Sequence, residues 1–179
     1  MNAKENTIRC SRRSMTAMLG SARRPVGRLF LAMGMVLYVG AWSGPAMAEE
    51  TQDAWVSETF DAYESLRAAL AQDRLDEVRD KAITVANAAG ETRAPTVAKA
   101  AQSIVPSENA DGMRKAFGDL SREMIVLAKE HPSAKKGRFV FTCGMAQGYP
   151  KWIQVSKTMT NPYMGQRMLE CGTKSNWMP

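Results

Sequence analysis

Apolar residues recur at steps of three and four along residues 53–71, which is the spacing of one buried helical face. The positions on this face are Val56, Phe60, Tyr63, Leu66 and Leu70. A second stripe of small and branched residues runs from Leu75 to Ala89, with Asp73 as a candidate N-cap and Gly90 as a stop. Because the link between them is short, the pattern predicts two antiparallel, adjacent helices.

Two further helices are predicted downstream. A shorter, Ala-rich one runs from about Thr96 to Val105, between Pro95 and Pro106. The next begins at Asp111 and ends at His131, and its apolar face is formed by Met113, Phe117, Leu120, Met124 and Leu127. Four amphipathic helices with short links predict a mainly α protein built as a four-helix bundle.

The pattern changes after the fourth helix. Phe139-Val140-Phe141 is a short β-prone run that leads directly to Cys143. Asn161 is a good N-cap and Gly172 a good C-cap, so Pro162 to Cys171 is predicted to form a short helix. The bundle is therefore expected to be followed by a short C-terminal strand or loop and a small helix.

The N-terminal pattern is that of an export signal. Residues 1–28 carry seven basic residues and one acidic residue, and the apolar run Leu29 to Trp42 is shorter than the roughly 20 residues that span a membrane. Ala46-Met47-Ala48 offers a cleavage site. We therefore predict residues 1–48 to be a cleaved signal peptide and residues 49–179 to be a single helical domain in the periplasm.

Two alternatives for this segment stay open. The pairs Arg12-Arg13 and Arg23-Arg24 allow the twin-arginine route as well as the general one, and an uncleaved signal would act as an anchor. Since no Cys follows the apolar run, we expect no lipid anchor at the cleavage site. After cleavage we expect no stable membrane anchor.

Removal of the signal changes the charge of the protein. Seven of the 24 basic residues and one of the 18 acidic residues lie in residues 1–48, which leaves 17 of each sign in the domain. The sequence pI of about 9.4 therefore says nothing about partners. Nucleic-acid binding has no compositional support.

Two cysteines, Cys143 and Cys171, remain after Cys10 is removed with the signal. Exported thiols tend to oxidise unless a metal holds them. Three interpretations therefore remain for this pair: a metal site, a disulfide, or two free thiols. A disulfide closing this loop of about 28 residues would contribute about 3.5 kcal/mol of stability. A domain of this size can fold without one.

Sulfur is concentrated beside these cysteines. Five of the domain's seven methionines fall in its last 35 residues. Met145 is two residues from Cys143, and Met168 is one helical turn from Cys171. Thioethers are poor ligands for zinc, calcium or magnesium but good ones for cuprous copper or silver, although Met is also a common core residue.

Three motifs extend this pattern. They read Phe-Thr-Cys-Gly-Met at 141–145, Trp-Ile-Gln at 152–154, and Asn-Pro-Tyr-Met-Gly-Gln-Arg-Met-Leu-Glu-Cys-Gly at 161–172. In this order they resemble the end of a family of bacterial periplasmic helical domains of unknown function. That family occurs alone or joined to the membrane-fusion subunits of copper and silver efflux pumps.

The resemblance implies metal handling in the periplasm with an envelope efflux or metal-transfer partner. Within the Cys/Met-rich segment 138–172, it carries over onto the residues that the sulfur pattern also selects as ligands: Cys143, Met145, Met168 and Cys171. Gly144 stands where the family has Pro, which frees the turn between the first two sulfurs.

Two functions are therefore weighed. One is a periplasmic soft-metal protein that sequesters cuprous copper or silver, or passes it to a partner. The other is a disulfide-stapled interaction module of the cell envelope without a metal role, in which Trp152, Tyr163 and Trp177 would be exposed. An enzyme is not expected, because His131 is the only imidazole and no nucleophile motif or phosphate-binding Gly loop occurs.

Overall fold

The computed structural model describes residues 46–179, with side chains from Ala54 onward. It has four α-helices and three short strands: α1 Ala46–Ala71, α2 Leu75–Ala89, α3 Pro95–Gln102, α4 Ala110–Glu130, β1 Phe139–Thr142, β2 Lys151–Gln154 and β3 Thr173–Ser175. The mainly α class is as predicted. The predicted signal peptide lies outside the described residues except for its last three, and no described helix is long and apolar enough to cross a membrane.

The α1–α2 turn differs from the prediction at Asp73. Arg74, not Asp73, holds the N-cap position of α2, and no side chain caps that helix. Asp73 instead adopts a left-handed conformation with φ of 56° at the end of α1. This conformation directs its carboxylate to the backbone N–H of Gln166, 3.0 Å away, and to the guanidinium of Arg114 in α4.

The third helix ends earlier than predicted. Backbone bonds from Ile104 to Ala101 and from Val105 to Gln102 span three residues, so the chain tightens into turns before Pro106. The predicted start of α4 is within one residue of the observed start. Asn109 caps α4 by accepting a 2.9 Å hydrogen bond from the backbone N–H of Gly112.

Sequential helices pack on each other, and α4 also packs on β2. The core between α1 and α4 is closed by Tyr63, whose ring stacks on Phe117 at 5.3 Å. The Tyr63 hydroxyl shares a 2.7 Å hydrogen bond with the hydroxyl of Ser121 and accepts one from the backbone N–H of Ile153 in β2. One buried phenol thus ties two helices to the sheet.

The three strands form an antiparallel sheet in the order β2-β1-β3. β1 confirms the predicted strand, whereas β2 and β3 have no counterpart in the prediction. The predicted helix from Pro162 to Cys171 is wrong. The chain makes turns and a single 3-10 segment at Gly165–Met168, because Gly165 adopts a φ of 58° that ends any α-helix there.

Candidate metal centre

The sheet brings the two cysteines together. Cys143 directly follows β1 and Cys171 precedes β3, and Thr142 pairs with Thr173 at the edge between them. The two thiols are unbonded, with their Sγ atoms 3.8 Å apart. The Sδ atom of Met145 lies 4.0 Å from the Sγ of Cys171.

These separations match the edges of a small coordination polyhedron. With metal–sulfur bonds of about 2.3 Å, sulfurs around one ion lie about 3.8 Å apart in a tetrahedral arrangement and about 4.0 Å apart in a trigonal one. The two measured sulfur–sulfur distances fall on these values. Cys171 thus has both a thiol and a thioether at distances that suit ligands of one ion.

A tight turn after Cys143 places Met145. The Cys143 carbonyl accepts a 3.2 Å hydrogen bond from the N–H of Ala146, and the Cys143 N–H donates to the carbonyl of Pro150 at 3.0 Å. Gly144 lies in open space, since a Cβ there would meet nothing within 4 Å. The turn predicted at Gly144 is thus formed by backbone bonds without a proline.

Asn161 places Cys171 from the other side. Its buried amide donates to the Cys171 carbonyl, and its Oδ1 accepts from the backbone N–H groups of Tyr163 and Met164 at 2.8 and 3.1 Å. The Asn161 N–H also donates to the carbonyl of Leu169 at 2.7 Å. Asn161 was predicted only as a helix cap, and it instead clamps both ends of the loop that carries one ligand.

Met168 is not seen in this group of sulfurs. Its side chain is 40 % exposed, and it contributes its carbonyl to the N–H of Cys171. No hydrogen bond between the Met168 sulfur and either thiol occurs in the part of the chain that the structure describes. Met159 is a thioether that the sequence pattern did not select: a Cβ built on Gly172 would lie 2.9 Å from its Sδ.

The site has an apolar wall and an open wall. Cys143 is fully buried and belongs to the same hydrophobic core as three aromatic rings. Phe141 stacks on Trp152 at 5.7 Å, and Trp152 meets Tyr163 edge-on at 5.8 Å. The expectation that Trp152 and Tyr163 are exposed is therefore wrong, because both fill the core under the sheet. Met145, by contrast, is 55 % exposed.

The Cys171 thiol holds its proton more firmly than an ordinary thiol does. The pKa of Cys171 is raised above its ordinary value by the hydrogen bond shared with Cys143, by partial burial, and by repulsion from the Cys143 thiolate. At neutral pH the Cys171 thiol is therefore protonated, and a metal ion must displace its proton to bind. The affinity for metal is expected to depend on pH.

The donor set restricts which metal can bind. Among the described residues, no group of three or more His, Cys, Asp or Glu side chains could hold an ion. The candidate centre consists of two thiols and a thioether, which together favour a soft monovalent ion. Comparisons with protein-family models, curated proteins and solved structures found no match to this chain.

Proposed function

We propose that this protein binds a cuprous or silver ion through Cys143, Cys171 and Met145, without catalysing a reaction. The observation that carries the proposal is the convergence of three sulfurs at 3.8 and 4.0 Å from segments that the sheet and Asn161 hold together. Core packing alone does not require the third sulfur, because Met145 is mostly exposed. Met168, also selected from the sequence, would contribute only after the loop before Cys171 rearranged.

The proposal extends to the biological role. Export to the periplasm, expected from residues 1–48, would place the centre in an oxidising compartment, where a bound ion would protect the two thiols from oxidation. The open side at Met145 would allow the ion to be sequestered reversibly or handed to an envelope efflux or assembly partner. The resemblance of residues 141–172 to domains joined to efflux subunits supports the same role.

Metal titration under anaerobic conditions tests the proposal. Reduced protein from residue 49 onward is expected to bind about one cuprous or silver ion in competition with a colorimetric chelator, since the two thiols and the Met145 thioether would serve a single ion. Cys143→Ser and Cys171→Ser should each abolish this binding. Met113→Leu, a change in the helical core, is the control, and binding that survives in both serine variants would refute the proposal.

A second function is favoured by the same 3.8 Å separation. The two thiols are close enough for oxidation to a disulfide after a small side-chain rotation. The chain would then be a stapled interaction module without a metal. Thiol counting on protein taken directly from the periplasm separates the two functions, because this alternative requires no free thiol and no metal uptake after reduction.

We also propose that α1–α4 form the predicted four-helix bundle. Sequential packing of α1 on α2, α2 on α3 and α3 on α4 supports it, and Tyr63 with Ser121 closes α1 onto α4.

A further inference from the structure

Charge is divided unevenly between the helices and the sheet. The helical part, residues 49–130, carries 10 basic and 16 acidic residues, whereas the sheet part, residues 131–179, carries seven basic residues and one acidic residue. The domain as a whole is neutral only because these two excesses cancel. The sheet part is therefore a basic region on a molecule without net charge.

Three lysines of the sheet part lie beside two aromatic rings. The Nζ atoms of Lys174 and Lys157 lie 5.6 and 6.0 Å from the ring centre of Phe139, the first residue of β1. The Nζ atom of Lys135 lies 5.9 Å from the ring centre of Trp177. Such contacts hold an ammonium group in place without neutralising its charge. We call these five residues the basic face.

The register of the sheet joins the two rings into one region. Val140 pairs with Ser175 in the ladder between β1 and β3. Phe139 is one residue before Val140, and Trp177 is two residues after Ser175, so both rings lie at the same end of this antiparallel ladder. The lysines beside them therefore belong to a single surface.

The lysines of the basic face have no acidic partner within the protein. None of Lys135, Lys157 and Lys174 forms an ion pair in the part of the chain that the structure describes. Neighbouring Arg138, by contrast, is paired with Asp61 at 3.2 Å. Since Lys157 and Lys174 are also exposed, their charge is available to a partner.

The exposed side chains favour an acidic protein over an anionic membrane as that partner. Proteins that bind a membrane surface insert aromatic or large aliphatic side chains between the lipids. Phe139 and Trp177 are only partly exposed and pack against the core. The large apolar side chains that are exposed in the described part of the chain include no aromatic residue: Ile83, Met145, Val155, Met168 and Met178.

The basic face lies close to the candidate metal centre. Phe139 begins β1 and Cys143 follows its end, so four residues of extended chain, about 13 Å, separate them. On the other side of the ladder, Lys174 is three residues after Cys171. A protein bound to the basic face would therefore lie beside the two thiols.

We propose that the basic face is a docking surface for an acidic protein. Opposite charges would speed the encounter and orient the two molecules, and this attraction is screened by salt. The docking surface is inferred from charge and placement alone. Its use in passing an ion to or from the thiols rests on the proposed function.

Binding of a fluorescent glutamate-rich peptide tests the docking surface. The metal-free domain from residue 49 onward should bind the peptide at low salt, and the affinity should fall as salt is added. Lys157→Gln/Lys174→Gln should weaken binding about three- to tenfold, because two unpaired charges are lost. Lys99→Gln/Lys115→Gln is the matched control, since it removes two exposed charges from the helices and should leave the affinity unchanged. Equal affinities of the two double variants, or no binding by the unsubstituted domain, would refute the docking surface.

Two further measurements test other occupants of the basic face. Pelleting of the domain with phosphatidylglycerol vesicles at a salt concentration that releases the peptide would assign the face to a membrane. Concentration-dependent self-association that is lost in Lys157→Gln/Lys174→Gln would assign it to the acidic helices of a second copy. Either result would overturn the proposal of an acidic protein partner.

Silver titration of the same variants separates the docking surface from the metal centre. Lys157→Gln/Lys174→Gln should take up silver as the unsubstituted domain does, because neither lysine is a ligand. Loss of silver uptake together with peptide binding would show damage to the sheet and would overturn the assignment of these lysines. If the unsubstituted domain binds the peptide but no silver, the proposed function is refuted and the docking surface is retained.

Discussion

Cys171 combines a partly exposed thiol with a raised pKa. Because the folded protein holds this proton more tightly than the unfolded chain, the associated stability is complete below the ordinary thiol pKa of 9.0 and is lost as pH rises through the raised folded value. Burial raises the pKa values of Tyr63 and Tyr163 as well, but their ordinary value of 10.0 places their effect at higher pH.

The first prediction concerns this thiol. The free energy of unfolding of the reduced, metal-free protein should fall as pH rises above 9.0, because the folded state must give up a proton that it holds tightly. Urea denaturation at a series of pH values measures it. Cys171→Ser should flatten the first part of this decline, and a decline of equal slope in the variant would contradict the assignment.

Asn161 shows what a single residue in the sequence could and could not reveal. Its preference for accepting backbone N–H groups was correctly inferred, and it does accept two of them. The direction of the chain after it could not be inferred, because Gly165 at positive φ diverts the backbone and the Asn161 amide bonds a carbonyl ten residues away. Such a long-range bond leaves no local pattern.

The second prediction is that Asn161→Ala weakens the metal centre. Removal of this amide leaves three backbone groups without their partner, two of them buried, at a cost of about 1–3 kcal/mol each where water cannot replace it. Metal affinity should fall along with thermal stability. Asn109→Ala is the control, because it removes the cap of α4 at a cost of about 1 kcal/mol and should leave the affinity unchanged.

Among the elements, the long helices could be predicted and the small ones could not. Three helices, α1, α2 and α4, bury one face along several turns. Their apolar spacing therefore repeats often enough to identify each of them as a helix from the sequence. β3 is three residues long and reads Thr-Lys-Ser, and it is a strand only because β1 offers an unpaired edge. The predicted helix at Pro162 is wrong because Gly165 was expected to be tolerated inside it, whereas its φ of 58° turns the chain away from an α-helix.

The third prediction concerns that glycine. Gly165→Ala would place a Cβ 2.0 Å from the Asp73 carboxylate at a φ of 58°, so the loop before Cys171 must shift. Stability and metal affinity should both fall, as measured by thermal unfolding and chelator competition. Gly137→Ala is the matched control, because Gly137 also has a positive φ, 74°, but no atom lies within 4 Å of the added Cβ. Equal losses of stability and affinity in the two variants would show that the clash with Asp73 is unimportant.

Across the whole molecule, Tyr63 joins α1, α4 and β2. The fourth prediction is that Tyr63→Phe lowers the free energy of unfolding by about 1–3 kcal/mol, because it leaves the buried Ile153 N–H unpaired and removes a partner of the Ser121 hydroxyl. Urea denaturation measures the loss.

Tyr149→Phe is the matched control for this change. The Tyr149 hydroxyl is buried and has no hydrogen-bond partner among the described groups, so its removal should be neutral or stabilising. Equal losses in Tyr149→Phe and Tyr63→Phe would contradict the role given to the Tyr63 hydrogen bonds, because the Tyr149 hydroxyl makes none among the described groups.

The left-handed turn at Asp73 has a wider consequence. The Asp73 carboxylate accepts a hydrogen bond from the backbone N–H of Gln166, in the loop that carries Cys171, while the Asp73 backbone joins α1 to α2. Coupling between two places in a protein is reciprocal, so if this turn steadies the metal loop, a bound ion must steady the turn. Amide hydrogen exchange at Gln166 and Arg74 should then slow on silver binding. The α1–α2 turn, which is far from Cys171 in the sequence, would thus report whether the metal centre is occupied.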